Sequence, residues 1–222
     1  MSLQIQGEGA KLIPMTKIKN CGLKTPESID QAVHTGASFV GFVHHEASPR
    51  HVSLAAMAGL IAHANGRTKT VAVLVNPSDS LLHDICTAAP DYIQLHGVPN
   101  PARIQTIAAL TGKPIISAIA VNSAHDLALA ATLEEISSHL LFDAARAGSG
   151  TAFDWALLKN LPLKKPWFLA GGLTISNVAE AIRVTQAPMV DVSSGLEDPI
   201  GSGNKSLEMI ASFNAAVLSR DA

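Results

Sequence analysis

Cysteine is nearly absent from this sequence: Cys21 and Cys86 are the only two in 222 residues, and they lie far apart. That excludes a disulfide-built scaffold, and the lack of any metal-ligand spacing around them excludes a zinc module. Such usage fits a reducing, cytoplasmic setting. There is little imbalance of charge either, with 16 Lys and Arg against 18 Asp and Glu. The basic residues form no run that would follow a phosphate backbone, so nucleic acid is not an expected partner. No apolar segment approaches the roughly 20 residues needed to span a bilayer, and no membrane partner is expected. The first residues also lack the compact apolar core of a secretion signal. Residues 1–14, with Gly7-Glu8-Gly9-Ala10, read as a disordered leader or extension. With no Pro/Gly/Ser-rich linker and no low-complexity tract, residues 15–222 read as one folded unit. A chain of this length buries about 70% of its unfolded surface and holds together without disulfide or structural metal.

What is present is an alternation of short apolar runs with longer amphipathic segments rich in Ala and Leu, the pattern of repeated β-α units around a parallel sheet. Strands are expected at 15–20, 38–43, 69–75, 91–95, 115–121, 138–142, 166–170 and 188–192. Helical patterns follow each, at 26–35, 54–64, 80–88, 101–110, 124–133, 154–160, 177–184 and 205–218. Helix-entry chemistry marks some of the starts, as in Thr25-Pro26-Glu27 and Ser176-Asn177. Eight of each is the tally of a single-domain (β/α)₈ TIM barrel in the α/β class. An open doubly wound sheet stops at fewer strands, and no Gly-x-Gly-x-x-Gly follows the first strand.

In such a barrel the chemistry lies at the C-terminal ends of the strands, so the polar residues just after each apolar run are the candidates. Cys21 ends the first run, either as a reactive thiol or as a small buried hydrophobe. Asp143 ends Leu140-Leu141-Phe142-Asp143, as a catalytic carboxyl or as a cap or ion-pair partner of Arg146. Arg50, in the loop after strand two, has the planar fork that suits a carboxylate; its other reading is a solvated cation. Gln94 and His96 follow strand four and would line the pocket, although His96 before Gly97 could simply organise a turn. His44, His45 and His51 have no second ligand cluster to go with them, so no metal is expected. Gly171-Gly172 and Ser193-Ser194-Gly195 end strands seven and eight. Backbone N–H groups there can approach an anion with no Cβ in the way, and this pair of barrel loops frequently binds phosphate. Together they point to a phosphorylated substrate held by Gly171, Gly172, Ser194 and Gly195. Gly148-Ser149-Gly150-Thr151 reads as a lid or as a plain connection.

These residues fall in Lys19-x-Cys21-Gly22-Leu23, Gly41-Phe42-Val43, Ser48-Pro49-Arg50, Gln94-Leu95-His96-Gly97, Leu141-Phe142-Asp143, Gly148-Ser149-Gly150 before Phe153-Asp154-Trp155, Leu169-Ala170-Gly171-Gly172-Leu173 with Asn177-Val178, and Asp191-Val192-Ser193-Ser194-Gly195-Leu196-Glu197. In this order, from residue 17 to about 213, the sequence resembles the phosphoribosylanthranilate isomerase family of tryptophan biosynthesis. The resemblance implies a cofactor-free Amadori rearrangement, an aldose–ketose isomerisation of N-(5-phosphoribosyl)anthranilate to 1-(2-carboxyphenylamino)-1-deoxyribulose 5-phosphate. It implies Cys21 as general base, Asp143 as general acid and Arg50 as the holder of the anthranilate carboxylate, in a monomer or homodimer. Nearby cations would favour a thiolate at Cys21, and desolvation would keep Asp143 protonated. Three departures stand out: Asn20 in place of an apolar residue, which would loosen strand one; a short segment between Asp143 and Gly148; and His44-His45 in the pocket wall. A related phosphate-binding epimerase or isomerase barrel, and a barrel that binds a phosphorylated ligand without turnover, are the competing readings.

Overall fold

The structure, a computed structural model, describes residues 15–98, 100–144, 153–159 and 161–219. The leader assigned to residues 1–14 lies outside the described residues, as do Arg146 and the Gly148–Thr151 stretch. Eight parallel strands close into a barrel in sequence order: β1 (Lys17–Cys21), β2 (Phe39–His44), β3 (Lys69–Val75), β4 (Tyr92–His96), β5 (Ile115–Val121), β6 (His139–Ala144), β7 (Trp167–Leu169) and β8 (Met189–Val192). β8 returns to β1 in a register that sets Lys19 beside Asp191. The eight expected strands are all found, within a few residues of their expected ends.

Side chains alternate across each strand, so one set fills the barrel and the other meets the helices. The inward set puts Phe39, Tyr92, His139 and Phe168 at the N-terminal end, where their rings pack edge to face or tilted at 5.2–6.3 Å between centroids. Two to four residues further along the same inward rows come Cys21, Gln94, His96, Asp143 and Asp191. The floor of the barrel is thus apolar and aromatic and its mouth is polar.

The outer shell consists of α1 (Pro26–His34), α2 (Leu54–Ala64), α3 (Asp79–Thr87), α4 (Pro101–Thr111), α5 (Ala130–Ile136), α6 (Val178–Thr185) and α7 (Leu207–Leu218). Side-chain caps start several of these helices, for example Thr25 on the Ser28 N–H and Ser206 on the Met209 N–H. The expected tally of eight helices is corrected in two places. The fifth segment begins as a 3₁₀ stretch, Ala124–Leu129, before becoming α5. The sixth is only a 3₁₀ turn, Trp155–Leu158, capped by Asp154. Pro162 and Pro166 follow closely and bias the residues before them away from the α region, so the segment cannot lengthen. It still packs on the core through Phe153, Trp155, Leu157 and the fully covered Leu158.

Asn20 does not loosen β1. It faces outward, wholly buried, and exchanges side-chain hydrogen bonds with Asn214 of α7 at 3.0 and 3.1 Å. Asn214 also donates to the Thr35 hydroxyl at 2.8 Å, which ties the end of α1 to the same point. A buried amide with its partner removed costs about 1–3 kcal/mol, whereas removing both partners is close to neutral. Asn214→Ala is therefore expected to lower the urea-unfolding free energy by about 1–3 kcal/mol, and the pair Asn20→Val with Asn214→Leu to recover much of it. An unchanged midpoint in Asn214→Ala would remove this account of why a polar residue is tolerated there.

Candidate active site

The mouth of the barrel opens into a cavity of about 1050 Å³ lined by Cys21, Arg50, Gln94, His96, Asp143 and Asp191, among others. Five of these are the residues singled out in the sequence for acid–base chemistry and substrate contact. β1 supplies two groups from one face, Lys19 and Cys21, because they are two residues apart. Lys19 is fully buried and its Nζ donates to Asp191 Oδ1 at 2.8 Å. Gly41 of β2 leaves room for both: a Cβ there would lie 2.9 Å from Cys21 Sγ and 3.1 Å from Lys19 Nζ.

Asp143 comes from the end of β6. Burial, followed by the negative charge of Asp191, pushes its carboxyl up to about 7. This is the environment of a carboxylic acid that keeps its proton near neutrality. Cys21 departs from expectation. The anticipated cation is present as Lys19, but burial outweighs it and the thiol is pushed up, with Asp191 adding to the rise. The resting state is therefore the thiol. For Lys19, burial favours the neutral amine, yet Asp191 and Cys21 together raise it, so it stays an ammonium.

Arg50 is less free than a loop cation. Its Nε and Nη2 donate to the two Glu197 carboxylate oxygens at 2.6 and 3.0 Å. Glu197 also accepts from Lys205 Nζ at 2.7 Å and from the Gly201 N–H at 2.9 Å. Burial would raise this carboxyl, but Arg50 and Lys205 hold it down at about 2. Lys205 reaches back to the Ser193 carbonyl at 2.9 Å, and the Ser193 hydroxyl donates to the Cys21 carbonyl at 3.2 Å. The loops after β1, β2 and β8 are thereby tied into one support. Gly22 is part of it: at φ +77° it suits the turn, and a Cβ there would come within 2.9 Å of Arg50 Cδ.

Gln94 donates its amide N–H to His96 Nε2 at 2.8 Å, while its Oε1 is buried with no partner among the described residues. Burial, then the charge of Lys19, lowers His96 to about 4, so the ring is neutral. His45 lines the cavity too, whereas His44 turns away and its Nδ1 meets the Val52 carbonyl at 2.9 Å. No group of three His, Cys, Asp or Glu able to hold a metal is found among the described residues, nor any helix long and apolar enough to cross a membrane.

The four glycine and serine positions expected to bind phosphate are not among the residues lining this cavity; they lie in the loops after β7 and β8, next to the lining residues Ala144 and Ser193. Gly171, at φ +84°, lies so close to the Ala144 backbone that no side chain fits, and a Cβ there would stand 3.0 Å from Asp143 Oδ1. Gly195 packs against the Leu173 carbonyl in the same side-chain-free way, which joins the β7 and β8 loops. The N–H groups of Gly172, Ser194 and Gly195 make no hydrogen bond among the described residues; the 3₁₀ turn there uses those of Leu196 and Glu197. Asn177 fixes the first of these loops by accepting from the Thr174 N–H and donating to the Gly172 carbonyl.

Four supporting residues were quoted in motifs or passed over without a role: Lys19, Asp191, Glu197 and Lys205. Period-2 alternation places Lys19 on the face of Cys21, and Asp191 closes an apolar strand just as Asp143 does, so both carried a readable signal. Nothing local marks Glu197 and Lys205 as partners of Arg50.

Comparison with known proteins agrees with the geometry. The family model described as N-(5'phosphoribosyl)anthranilate (PRA) isomerase matches residues 18–216. An N-(5'-phosphoribosyl)anthranilate isomerase from Caulobacter sp. (strain K31) is 43% identical over 212 residues, which cover 91% of this chain and 99% of that protein. One from Rhodopseudomonas palustris (strain HaA2) is 43% identical over 204 residues, covering 88% and 93%. The crystal structure of the Thermotoga maritima isomerase superposes with a TM-score of 0.81 at 30% identity, covering 91% of this chain and 98% of that one. A further isomerase structure, in complex with reduced 1-(o-carboxyphenylamino)-1-deoxyribulose 5-phosphate, gives 0.79 at 29% identity, with coverage of 91% and 98%. Barrel, polar mouth and near-full-length similarity converge: this chain belongs to the N-(5'-phosphoribosyl)anthranilate isomerase family.

Proposed function

We propose that this chain catalyses the isomerisation of N-(5'-phosphoribosyl)anthranilate to 1-(2-carboxyphenylamino)-1-deoxyribulose 5-phosphate, with Asp143 as general acid and Cys21 as general base. The observation that carries the assignment is a carboxyl held protonated near neutrality in the same cavity as a thiol from another strand. Asp143 gives its proton to the ribose ring oxygen as the C1′–O bond breaks, and the anilino nitrogen lone pair forms the Schiff base. The Cys21 thiolate then takes the C2′ proton, the C2′–H electrons form the C1′=C2′ bond as the C1′=N π electrons return to the anilino nitrogen, and the resulting enolamine tautomerises to the ketone. The rearrangement needs no external oxidant or reductant, because the oxidation at C2′ is balanced by the reduction at C1′.

Substrate positioning divides between two ends of the site. Arg50 keeps Nη1 free of hydrogen bonds among the described residues, so its outer edge can receive the anthranilate carboxylate while Glu197 fixes the inner one. The unengaged N–H groups of Gly172, Ser194 and Gly195, with the backbone of Gly171 shaping the rim, would take the phosphate. Gln94 and His96 line the wall between, with Gln94 Oε1 open to a sugar hydroxyl. Arg50→Ala is expected to raise KM by about tenfold to a hundredfold with a smaller change in kcat, the cost of losing hydrogen bonds to a charged group. An unchanged KM would take the carboxylate away from Arg50. The function itself is tested by following the fluorescence change on adding the protein to freshly made N-(5'-phosphoribosyl)anthranilate; absence of conversion overturns the reading.

A further inference from the structure

Lys19 is a charged residue in the interior of the barrel, fully buried, and stability alone does not explain it. A buried ion pair can usually be replaced by apolar residues at little or no cost. Its Nζ donates to Asp191 Oδ1 at 2.8 Å and is also hydrogen-bonded to the Cys21 side chain, so the ammonium stands between carboxylate and thiol. Gly41 leaves the space for this arrangement: a Cβ there would lie 3.1 Å from Lys19 Nζ and 2.9 Å from Cys21 Sγ.

We propose that Lys19 is a positioning residue for the isomerisation: its ammonium, anchored by Asp191, is the counter-charge that stabilises the Cys21 thiolate. This rests on the assignment of Cys21 as general base. Charged groups reach Cys21 from three elements. Lys19 lies on its own strand, Asp191 on β8, and Lys205 in the segment before α7; β2 contributes only the uncharged Gly41. Lys19 and Lys205 favour the thiolate, whereas burial and Asp191 oppose it. Lys19 therefore acts against the desolvation that the closed barrel imposes on its own base. Asp191 holds the ammonium in place at the expense of weakening its effect.

Removing the two partners should move the thiol in opposite directions, which loss of an ion pair serving only the fold would not do. The test uses full-length protein carrying Cys86→Ser, so that a single thiol titrates, and reads the ultraviolet thiolate absorbance against pH without substrate. Lys19→Met is expected to move the Cys21 midpoint up by about one pH unit or more, and to lower kcat/KM at neutral pH by about tenfold for each unit moved. Asp191→Asn is expected to move the same midpoint down. A Lys19→Met protein that is folded by circular dichroism with its midpoint unmoved or lowered would overturn the proposal. So would a midpoint that stays put or rises in Asp191→Asn, which decides the matter even if Lys19→Met does not fold. Full activity in Cys21→Ala would instead overturn the base assignment. An inactive Cys21→Ala beside an unmoved thiol titration in Lys19→Met overturns only the role of Lys19.

Discussion

Asp143→Asn is expected to lower kcat/KM by about 10²–10⁴-fold, since an amide can occupy the site but cannot give a proton to the ring oxygen. Its pH dependence is more diagnostic than its size. In the unmodified protein the acid sits at about 7 and the base above its ordinary value, so the productive state, acid protonated and base ionised, is the less populated of the two singly protonated forms. Its population is constant between the two midpoints and falls on either side. The profile of kcat/KM should therefore rise up to about pH 7, stay level, and fall only once the thiol itself titrates; the limbs belong to the coupled pair. In Asp143→Asn only the thiol remains, and the residual activity should climb steadily with pH until Cys21 is ionised. An acid limb near 7 that survives the substitution would exclude Asp143 as its source.

The same carboxyl leaves a mark on stability. Its folded value, about 7, lies above the ordinary 3.8. Between those values the native state binds more protons than the unfolded chain. The contribution of this group is thus complete below about 3.8 and is lost as pH rises through about 7. Asp143→Asn removes that loss. At about pH 8 the variant should unfold at higher urea concentration than the unmodified protein, by about 1–4 kcal/mol, and the gap should close as the pH is lowered. The site would then show the ordinary exchange of stability for a poised catalytic group.

Most of this site could be read in advance because its residues sit where strand periodicity puts them. Asp143 terminates an apolar strand, Cys21 does the same, and Gln94 and His96 are two apart on one inward row. The strands themselves were legible as apolar runs between helical patterns. The segment 154–160 misled because its Leu-rich composition resembles a helix, while Pro162 and Pro166 permit only one turn. Arg50 was recognised by its chemistry, but its partner Glu197 lies 147 residues away, and no local pattern marks a contact that only barrel closure creates. Asn20 looked like a defect for the same reason: its partner Asn214 is on the last helix, 194 residues on. The resting charge of Cys21 was beyond reach of any pattern, because it depends on how far burial outweighs Lys19 in the finished interior.

Cys21→Ala should reduce kcat/KM by about 10²–10⁴-fold while leaving ligand binding nearly intact, because the thiol acts on a C–H bond and holds no part of the substrate in the proposed roles. The reduced product analogue, 1-(o-carboxyphenylamino)-1-deoxyribulose 5-phosphate, separates the two: its affinity should change little in Cys21→Ala and fall clearly in Arg50→Ala. Cys21→Ser should be almost as inactive, since a hydroxyl ionises far less readily than a thiol in the same buried setting. Removal of the sulfur should also be cheap for the fold, about 1 kcal/mol, as a small group is lost beside a solvent-accessible mouth. An active Cys21→Ala would assign the C2′ proton to another group in the cavity, and the carboxylate nearest in the fold to Cys21 and its Lys19 is that of Asp191. That alternative has its own signature: Asp191→Asn would then abolish turnover outright, instead of shifting the titration of a thiol that still works.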